Sequence, residues 1–265
     1  MRISVVTISY NQAKYLEAAL RSVFEQDYAQ IEYIVVDPGS TDGSRDIIQR
    51  YRDRITKILP EPDGGPADGL NNGFSHATGD ILFCLNADDI ALPGAFRTVA
   101  NYFENYPEVD VIYGHGLRLD AAGRTVRRIY STRWGLRAYG FGACNVVQQA
   151  TYFRRAIFET VGGFNKNNRT CWDGELLVDI ALARGSFLRV PEFLGGFRIH
   201  KESISGSGRL QTEYARDSTR LAEKALGRAT GRSDVLWSGL YRGVRLLCHP
   251  VVMADKLMRR STRNE

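Results

Sequence analysis

Short apolar runs alternate along the chain with segments whose apolar residues recur at helical spacing. Ile3 to Ile8 is β-branched and apolar, and Leu16, Ala19, Leu20, Val23 and Phe24 follow at intervals of three and four. This pattern predicts a strand, a cap at Asn11 and a helix. Ile31 to Val36 repeats the strand signal, and Ser40, Thr41 and Asp42 offer caps for a helix carrying Ile47, Ile48 and Tyr51. A third strand, Ile55 to Leu59, leads through a Pro/Gly/Asp loop to a helix opened by Pro66 and stopped by Gly79. Ile81 to Leu85 is an uninterrupted apolar strand, Pro93 opens a helix ending near Tyr106-Pro107, and Val109 to Tyr113 is the next strand.

Strand and helix alternating in this way predict an α/β fold, a mainly parallel sheet covered on both faces. Ligands of such sheets lie beyond the carboxyl ends of the strands. The residues expected there are Ser9 and Asn11, then Asp37, then Glu61 and Asp63, then Asn86 to Asp89. Past Gly114 the rhythm changes to a hairpin around Ala121-Ala122-Gly123-Arg124, a strand near Val146 to Phe153, and a helix from Asp173 to Arg184 ended by Gly185. After Gly206 two helices are expected, about 209–228 and 234–259, the second carrying Trp237, Leu240, Tyr241, Leu246, Leu247, Val251, Val252 and Met258 among arginines.

With 265 residues, 43% hydrophobic, the chain can bury one sizeable core or two small ones, which excludes global disorder. Cys84, Cys144, Cys171 and Cys248 form no CxxC pair, so neither a zinc cage nor a disulfide framework is expected, and a reducing compartment fits. The first strand signal begins at Ile3, so a secretory signal peptide is not expected, and with no stretch of 18 uncharged apolar residues neither is a spanning helix. The net charge of +5 is carried by the tail, where residues 206–265 hold 12 Lys/Arg against 6 Asp/Glu. Such a tail could meet phospholipid, nucleic acid or a phosphorylated substrate.

Carboxylates clustered after a buried strand raise each other's pKa unless a cation joins them, so Asp88 and Asp89 point to a metal, with an acidic turn capping the next helix as the plain alternative. Oxygen ligands favour Mg²⁺ or Mn²⁺. Asp37 and the turn Gly39-Ser40-Thr41-Asp42-Gly43 suit a base or ribose, although an ordinary Asx turn explains them equally well. Asp173 shares a helix stripe with Leu176, Leu177 and Ile180, while Glu175, about 200° round the helix, is expected to be more exposed. An acid placed like Asp173 is either a cap or an active-site base. His200, after the apolar strand Phe193 to Phe197, could complete a metal site, touch a diphosphate or serve an ordinary loop. Neither a P-loop nor a dinucleotide fingerprint is present.

Taken together, the segments resemble the family 2 glycosyltransferases. The matching pieces are Val5 to Asn11, Val36-Asp37-Pro38-Gly39-Ser40-Thr41-Asp42-Gly43-Ser44, Glu61-Pro62-Asp63-Gly64-Gly65, and Asp68-Gly69-Leu70-Asn71-Asn72-Gly73. They continue through Ala77-Thr78-Gly79-Asp80-Ile81, Leu85-Asn86-Ala87-Asp88-Asp89, Pro93-Gly94-Ala95, Val161-Gly162-Gly163-Phe164 and the Asp173 helix, covering about residues 2–205. The resemblance implies a GT-A fold, Rossmann-like, over 1–205, with a nucleotide-sugar-binding half (1–113), an acceptor half (114–205) and a basic helical extension over 206–265. It implies that Thr7, Ser9, Asn11 and Asp37 line the nucleoside pocket, with Asp63, Asp68, Asn71, Asn86 and Ala87 completing the donor site. Asp88 and His200 would then meet Mn²⁺ or Mg²⁺, and Asp173 falls where the family's general base lies. Three positions depart from the family pattern: Pro38 replaces a second aspartate, Asn86 the first acid of an Asp-x-Asp, and Trp172 an acid before the base.

The activity so implied is inverting transfer of one sugar from a UDP-, dTDP- or GDP-linked donor to a glycan or lipid-linked acceptor, in the assembly of cell-surface polysaccharide, lipopolysaccharide or glycolipid. The processive signature Gln-x-x-Arg-Trp is absent. A cytoplasmic location is expected, with the C-terminal helix meeting the membrane's inner face, the catalytic domain or a second subunit. No nucleic-acid partner is expected. A nucleotidyltransferase and a non-catalytic nucleotide- or sugar-binding module are the competing readings.

Overall fold

The computed structural model describes residues 1–201, 203 and 207–247. Its centre is a nine-stranded sheet in the order β3-β2-β1-β4-β8-β6-β9-β5, with β7 paired to β6. The strands are β1 (Ile3–Ile8), β2 (Ile31–Val36), β3 (Lys57–Leu59), β4 (Ile81–Asn86), β5 (Ile90–Ala91), β6 (Val111–Leu119), β7 (Thr125–Ile129), β8 (Thr151–Arg154) and β9 (Phe187–Arg198). β1, β2, β3 and β4 are mutually parallel, and β6 and β9 share their direction. β8 runs against β4 and β6, β5 against β9 and β7 against β6. The sheet is therefore mixed but mostly parallel, as the alternating pattern predicts.

Both faces are covered. β1 is buried from Ile3 to Thr7 because helices pack on each side of it. On one face, α1 (Ala13–Phe24), α2 (Ser44–Arg50) and α4 (Ala95–Asn105) contribute Leu16, Leu20, Ile48, Phe96, Val99 and Phe103 to one core. On the other, α3 (Pro66–Ser75), α6 (Arg155–Thr160) and α7 (Trp172–Leu182) contribute Leu70, Phe74, Phe158, Trp172, Leu176 and Ile180 to a second. α3 lies so close to β1 that a Cβ on Gly73 would stand 2.4 Å from Val6 Cγ1. A short helix, α5 (Leu136–Gly140), and α7 both pack against α8 (Gln211–Leu226), which Gly227 closes at φ 68°.

Several element bounds differ from the pattern. A 3₁₀ turn over Arg52–Arg54 shortens β3. α3 ends at Ser75, before Gly79. The strand expected from Val146 begins only at Thr151, because Gln148–Ala150 form a 3₁₀ turn whose Gln148 Nε2 donates to Cys84 O at 2.7 Å. The last helix, α9, is described over Asp234–Leu247. The rest of the expected 234–259 helix, with Cys248, Val251, Val252 and Met258, lies outside the described residues. Among the described residues no helix is long and apolar enough to cross a membrane, and Cys84 and Cys171 are free thiols.

Candidate active site

The loops at the carboxyl ends of β1 and β2 are stapled together. Asn11 sits in the left-handed region at φ 53°, where its N–H donates to Ser40 Oγ at 2.8 Å and its Oδ1 accepts from Thr41 N at 2.9 Å. Asp42 caps two helix starts, accepting from Ala13 N at 2.9 Å and Ser44 N at 3.0 Å. This network holds Asp37, whose Oδ1 accepts from Gly39 N, Ser40 N and Arg45 Nε at 3.1, 2.8 and 3.1 Å. Asp37 Oδ2 and the neighbouring Ser9 Oγ are buried with no hydrogen-bond partner among the described residues. Leaving such atoms unpaired costs about 1–3 kcal/mol each. Two orphaned polar atoms on adjacent strand ends are what a nucleoside's hydroxyl and imide groups would satisfy.

Beside them opens a cleft of about 760 Å³, reached by Ser9, Asp63, Ala87, Asp88, Arg169 and Arg209 among others. Asp63 accepts from Gly65 N at 2.8 Å, and burial, with Asp68 and Asp37 nearby, raises its pKa above the usual carboxylate value. The two aspartates after β4 have separate surroundings. Asp89 is 3% exposed and fully engaged: Oδ1 accepts from Arg198 N at 2.9 Å, and Oδ2 from Asn86 Nδ2 at 3.0 Å and Gln149 Nε2 at 2.7 Å. Asp88 lines the cleft, and its Oδ2 lies 3.0 Å from His200 Nε2. One carboxylate and one imidazole nitrogen suit Mn²⁺ or Mg²⁺ completed by water and phosphate oxygens, whereas an all-protein cage would need more ligands. No cluster of three or more His, Cys, Asp or Glu forms such a cage among the described residues.

A second cavity, of about 390 Å³, adjoins the first and shares Asn86, Gln149, Trp172 and Phe197 with it. Asp173 lines it. Burial raises the pKa of Asp173, partly offset by backbone N–H groups at the start of α7. Trp172, packed edge-on to Phe164 with ring centroids 5.2 Å apart, stands between the cavities.

Glu175 corrects an expectation. It is 1% exposed, not solvent-facing, because α8 packs on the side of α7 turned away from the sheet. There Arg220 donates to both carboxylate oxygens at 2.6 Å, and Asn168 and Lys224 add bonds of 2.7 and 3.1 Å. Hydrogen bonds from these groups outweigh burial and hold Glu175 at about 2.

The other expected site residues divide. Ser9, Asp63, Asn86, Ala87 and Asp88 reach the cleft. Thr7 is fully buried and shares a 2.9 Å hydrogen bond with Tyr33 OH, inside the helix-covered sheet. Asn71 clamps the backbone of Phe164, donating to its O at 2.7 Å and accepting from its N at 2.9 Å. Asp68 is held by Lys166 at 2.6 Å and by Gly64 N at 2.8 Å. Residues unforeseen by sequence reasoning include Arg198, whose Nε donates to Asp88 O at 2.9 Å and whose Nη1 donates to Asp120 O at 3.2 Å. Its place at the end of β9, two residues before His200, was the available signal. Arg169 and Arg209 carry no local motif.

The sequence model for glycosyl transferase family 2 matches residues 4–162. The chain belongs to this family. An uncharacterized glycosyltransferase of Nostoc sp. is 29% identical over 210 residues, 76% of this family 2 chain and 65% of the Nostoc protein. The chain thus spans just under two thirds of that relative. Among solved structures, Staphylococcus aureus TarS 1–349 in complex with UDP-GlcNAc matches with a TM-score of 0.71 at 19% identity, over 94% of this chain and 72% of TarS 1–349. The mannosyltransferase PcManGT from Pyrobaculum calidifontis, in complex with GDP-Man and Mn²⁺, matches with a TM-score of 0.65 at 19% identity, over 99% of this chain and 79% of its own. These likenesses show the GT-A fold.

Proposed function

We propose that the chain transfers a single sugar, with inversion, from a nucleoside diphosphate sugar to an acceptor hydroxyl. The observation that carries this reading is the pair of adjoining cavities sharing a wall, with Asp88 in one and Asp173 in the other. Ser9 and Asp37 offer unpaired atoms to the nucleoside. Arg169 and Arg209 bring positive charge to the cleft where a diphosphate would lie. Asp88 and His200 would hold Mn²⁺ or Mg²⁺, which when bound offsets the charge on the departing diphosphate.

Asp173 takes the proton of the acceptor hydroxyl as its oxygen attacks the anomeric carbon from the side opposite the diphosphate, so one displacement inverts the configuration. Its raised pKa makes it a better proton acceptor than an ordinary aspartate. The backbone N–H groups at the start of α7 favour its ionised form against the effect of burial. UDP-GlcNAc bound to TarS and GDP-Man bound to PcManGT support a nucleotide-sugar donor, and Mn²⁺ with PcManGT supports a divalent ion. We place the enzyme in the cytoplasm, acting in cell-surface polysaccharide, lipopolysaccharide or glycolipid assembly, with the C-terminal helix as a membrane contact.

The deciding experiment measures nucleoside diphosphate release from UDP-, dTDP- and GDP-sugars with Mn²⁺ or Mg²⁺. Release from one donor, abolished by EDTA and by Asp88→Ala, supports the reading. Silence with every donor, and no metal-enhanced nucleotide binding, overturns it.

A further inference from the structure

The cavity beside Asp173 is lined by an unusual set of side-chain amides: Asn86, Asn145, Gln148 and Gln149. The orientation of each follows from its partner, because carbonyl and carboxylate oxygens accept and never donate. Asn145 Nδ2 donates to Tyr130 O at 3.0 Å, and Gln148 Nε2 to Cys84 O at 2.7 Å. Asn86 Nδ2 and Gln149 Nε2 both donate to Asp89 Oδ2, at 3.0 and 2.7 Å. Every amide nitrogen is therefore turned toward the protein, and Asn145 and Gln149 each keep one N–H beyond the bond named. The amide oxygens of Asn86, Asn145 and Gln149 accept no hydrogen bond from the described residues.

What remains for a ligand is a wall rich in hydrogen-bond acceptors, joined by the Asp173 carboxylate. Among the described residues no Lys, Arg or His lines this cavity, whereas Arg169, Arg198 and Arg209 all lie on the donor cleft. Ile129, Val146, Val147 and Phe197 supply apolar surface between the polar groups. Hydroxyl groups donate to such oxygens, and the C–H faces of a pyranose suit the apolar patches. A phosphate or carboxylate brings no donor at neutral pH, meets no cation here and faces Asp173.

We infer that the acceptor unit entering this cavity is an uncharged, hydroxyl-rich sugar ring, not a phosphorylated or carboxylated one. This rests on the reading of Asp173 as the acceptor's base. It adds a substrate class, because the polarity of the wall would be different for an anionic acceptor.

The test uses the full chain with whichever nucleotide sugar shows metal-dependent hydrolysis. Methyl glycosides of glucose, galactose and mannose are compared with their 6-phosphates and with the matching methyl uronosides. At least one neutral glycoside should be turned over with kcat/KM about tenfold or more above its charged counterparts. In Asn145→Lys, which places a cation among the acceptor oxygens, the ratio of neutral to phosphorylated turnover should fall about tenfold. Equal or faster transfer to the phosphates or uronosides overturns the inference, as does a ratio unmoved by Asn145→Lys in a variant that still hydrolyses donor. Donor hydrolysis separates the two claims. Its absence overturns the transferase reading itself, whereas its presence with a charged-acceptor preference overturns only the acceptor class.

Discussion

Glu175 and Arg220 meet end-on, Nη1 and Nη2 of the guanidinium each donating to one carboxylate oxygen at 2.6 Å. The pair fastens the first turn of α7, which carries Asp173, to a helix 45 positions later in the chain. Glu175 is buried whereas Arg220 is half-exposed, so removing Arg220 leaves an interior charge with fewer partners.

The acid stability of the protein should reflect this pair. Glu175 is held at about 2, below the ordinary value of 4.5, so its contribution is fully present above pH 4.5 and is lost as pH falls towards 2. The shift corresponds to about 3 kcal/mol. Glu175→Gln should be less stable than wild type by that order at pH 7, with the difference shrinking below pH 4.5. Urea unfolding at pH 7 and pH 3 measures it, and an equal difference at both pH values would count against the pair.

Asp173 should be visible in the pH dependence of transfer. A base must be ionised, and burial raises its pKa, so the acid limb of acceptor-dependent kcat/KM should lie above the ordinary aspartate value of 3.8. Asp173→Asn should lower that turnover on the order of 10²–10⁴-fold. A limb at or below the ordinary value, or full transfer in the variant, would remove Asp173 from the role.

Metal dependence should separate Asp88 from Asp89. Asp88→Ala should abolish the Mn²⁺-induced gain in nucleotide affinity, read by isothermal titration with and without the ion. His200→Ala should weaken it by about tenfold or more. Asp89→Asn should instead lower thermal stability, because a buried carboxylate accepting three hydrogen bonds loses acceptors.

A methyl group at Gly195 should disturb the site without touching a ligand. Its Cβ would stand 1.8 Å from Gln149 O, a backbone atom that moves only with its chain. Gly195→Ala should lower Tm, at a cost of about 1–3 kcal/mol, and reduce nucleotide binding through Gln149, which bonds Asp89. Unchanged melting would show that the 3₁₀ turn yields.

The parts of the site legible in the sequence are those where strand ends dictate position. Ser9, Asp37, Asp63 and Asn86 to Asp89 follow apolar runs; Asn86 closes β4, and the others lie beyond β1 to β4 as expected. Thr7 shows where the rule stops, because in a strand covered on both faces a polar side chain can turn to a neighbour such as Tyr33. Glu175 was misplaced because periodicity supposes one buried side, and α7 has two, against the sheet core and against α8. The amide wall near Asp173 had no signature at all. Asn86, Asn145 and Gln149 come from separate segments, and their common orientation follows from partners such as Tyr130 O and Asp89 that only the fold supplies.

Arg198 joins distant parts of the chain at the site. It reaches Asp89 across 109 positions and Asp88 across 110, so these contacts cannot exist until β9 has left the ribosome and entered the sheet beside β6. Until then Asp89 Oδ1 lacks its donor, although the strands of residues 1–113 can already pair. Contacts so distant in sequence are slow to form. A chain interrupted before β9 therefore holds the loops after β1 to β4 without the Arg198 clasp that ties them to the second half of the sheet.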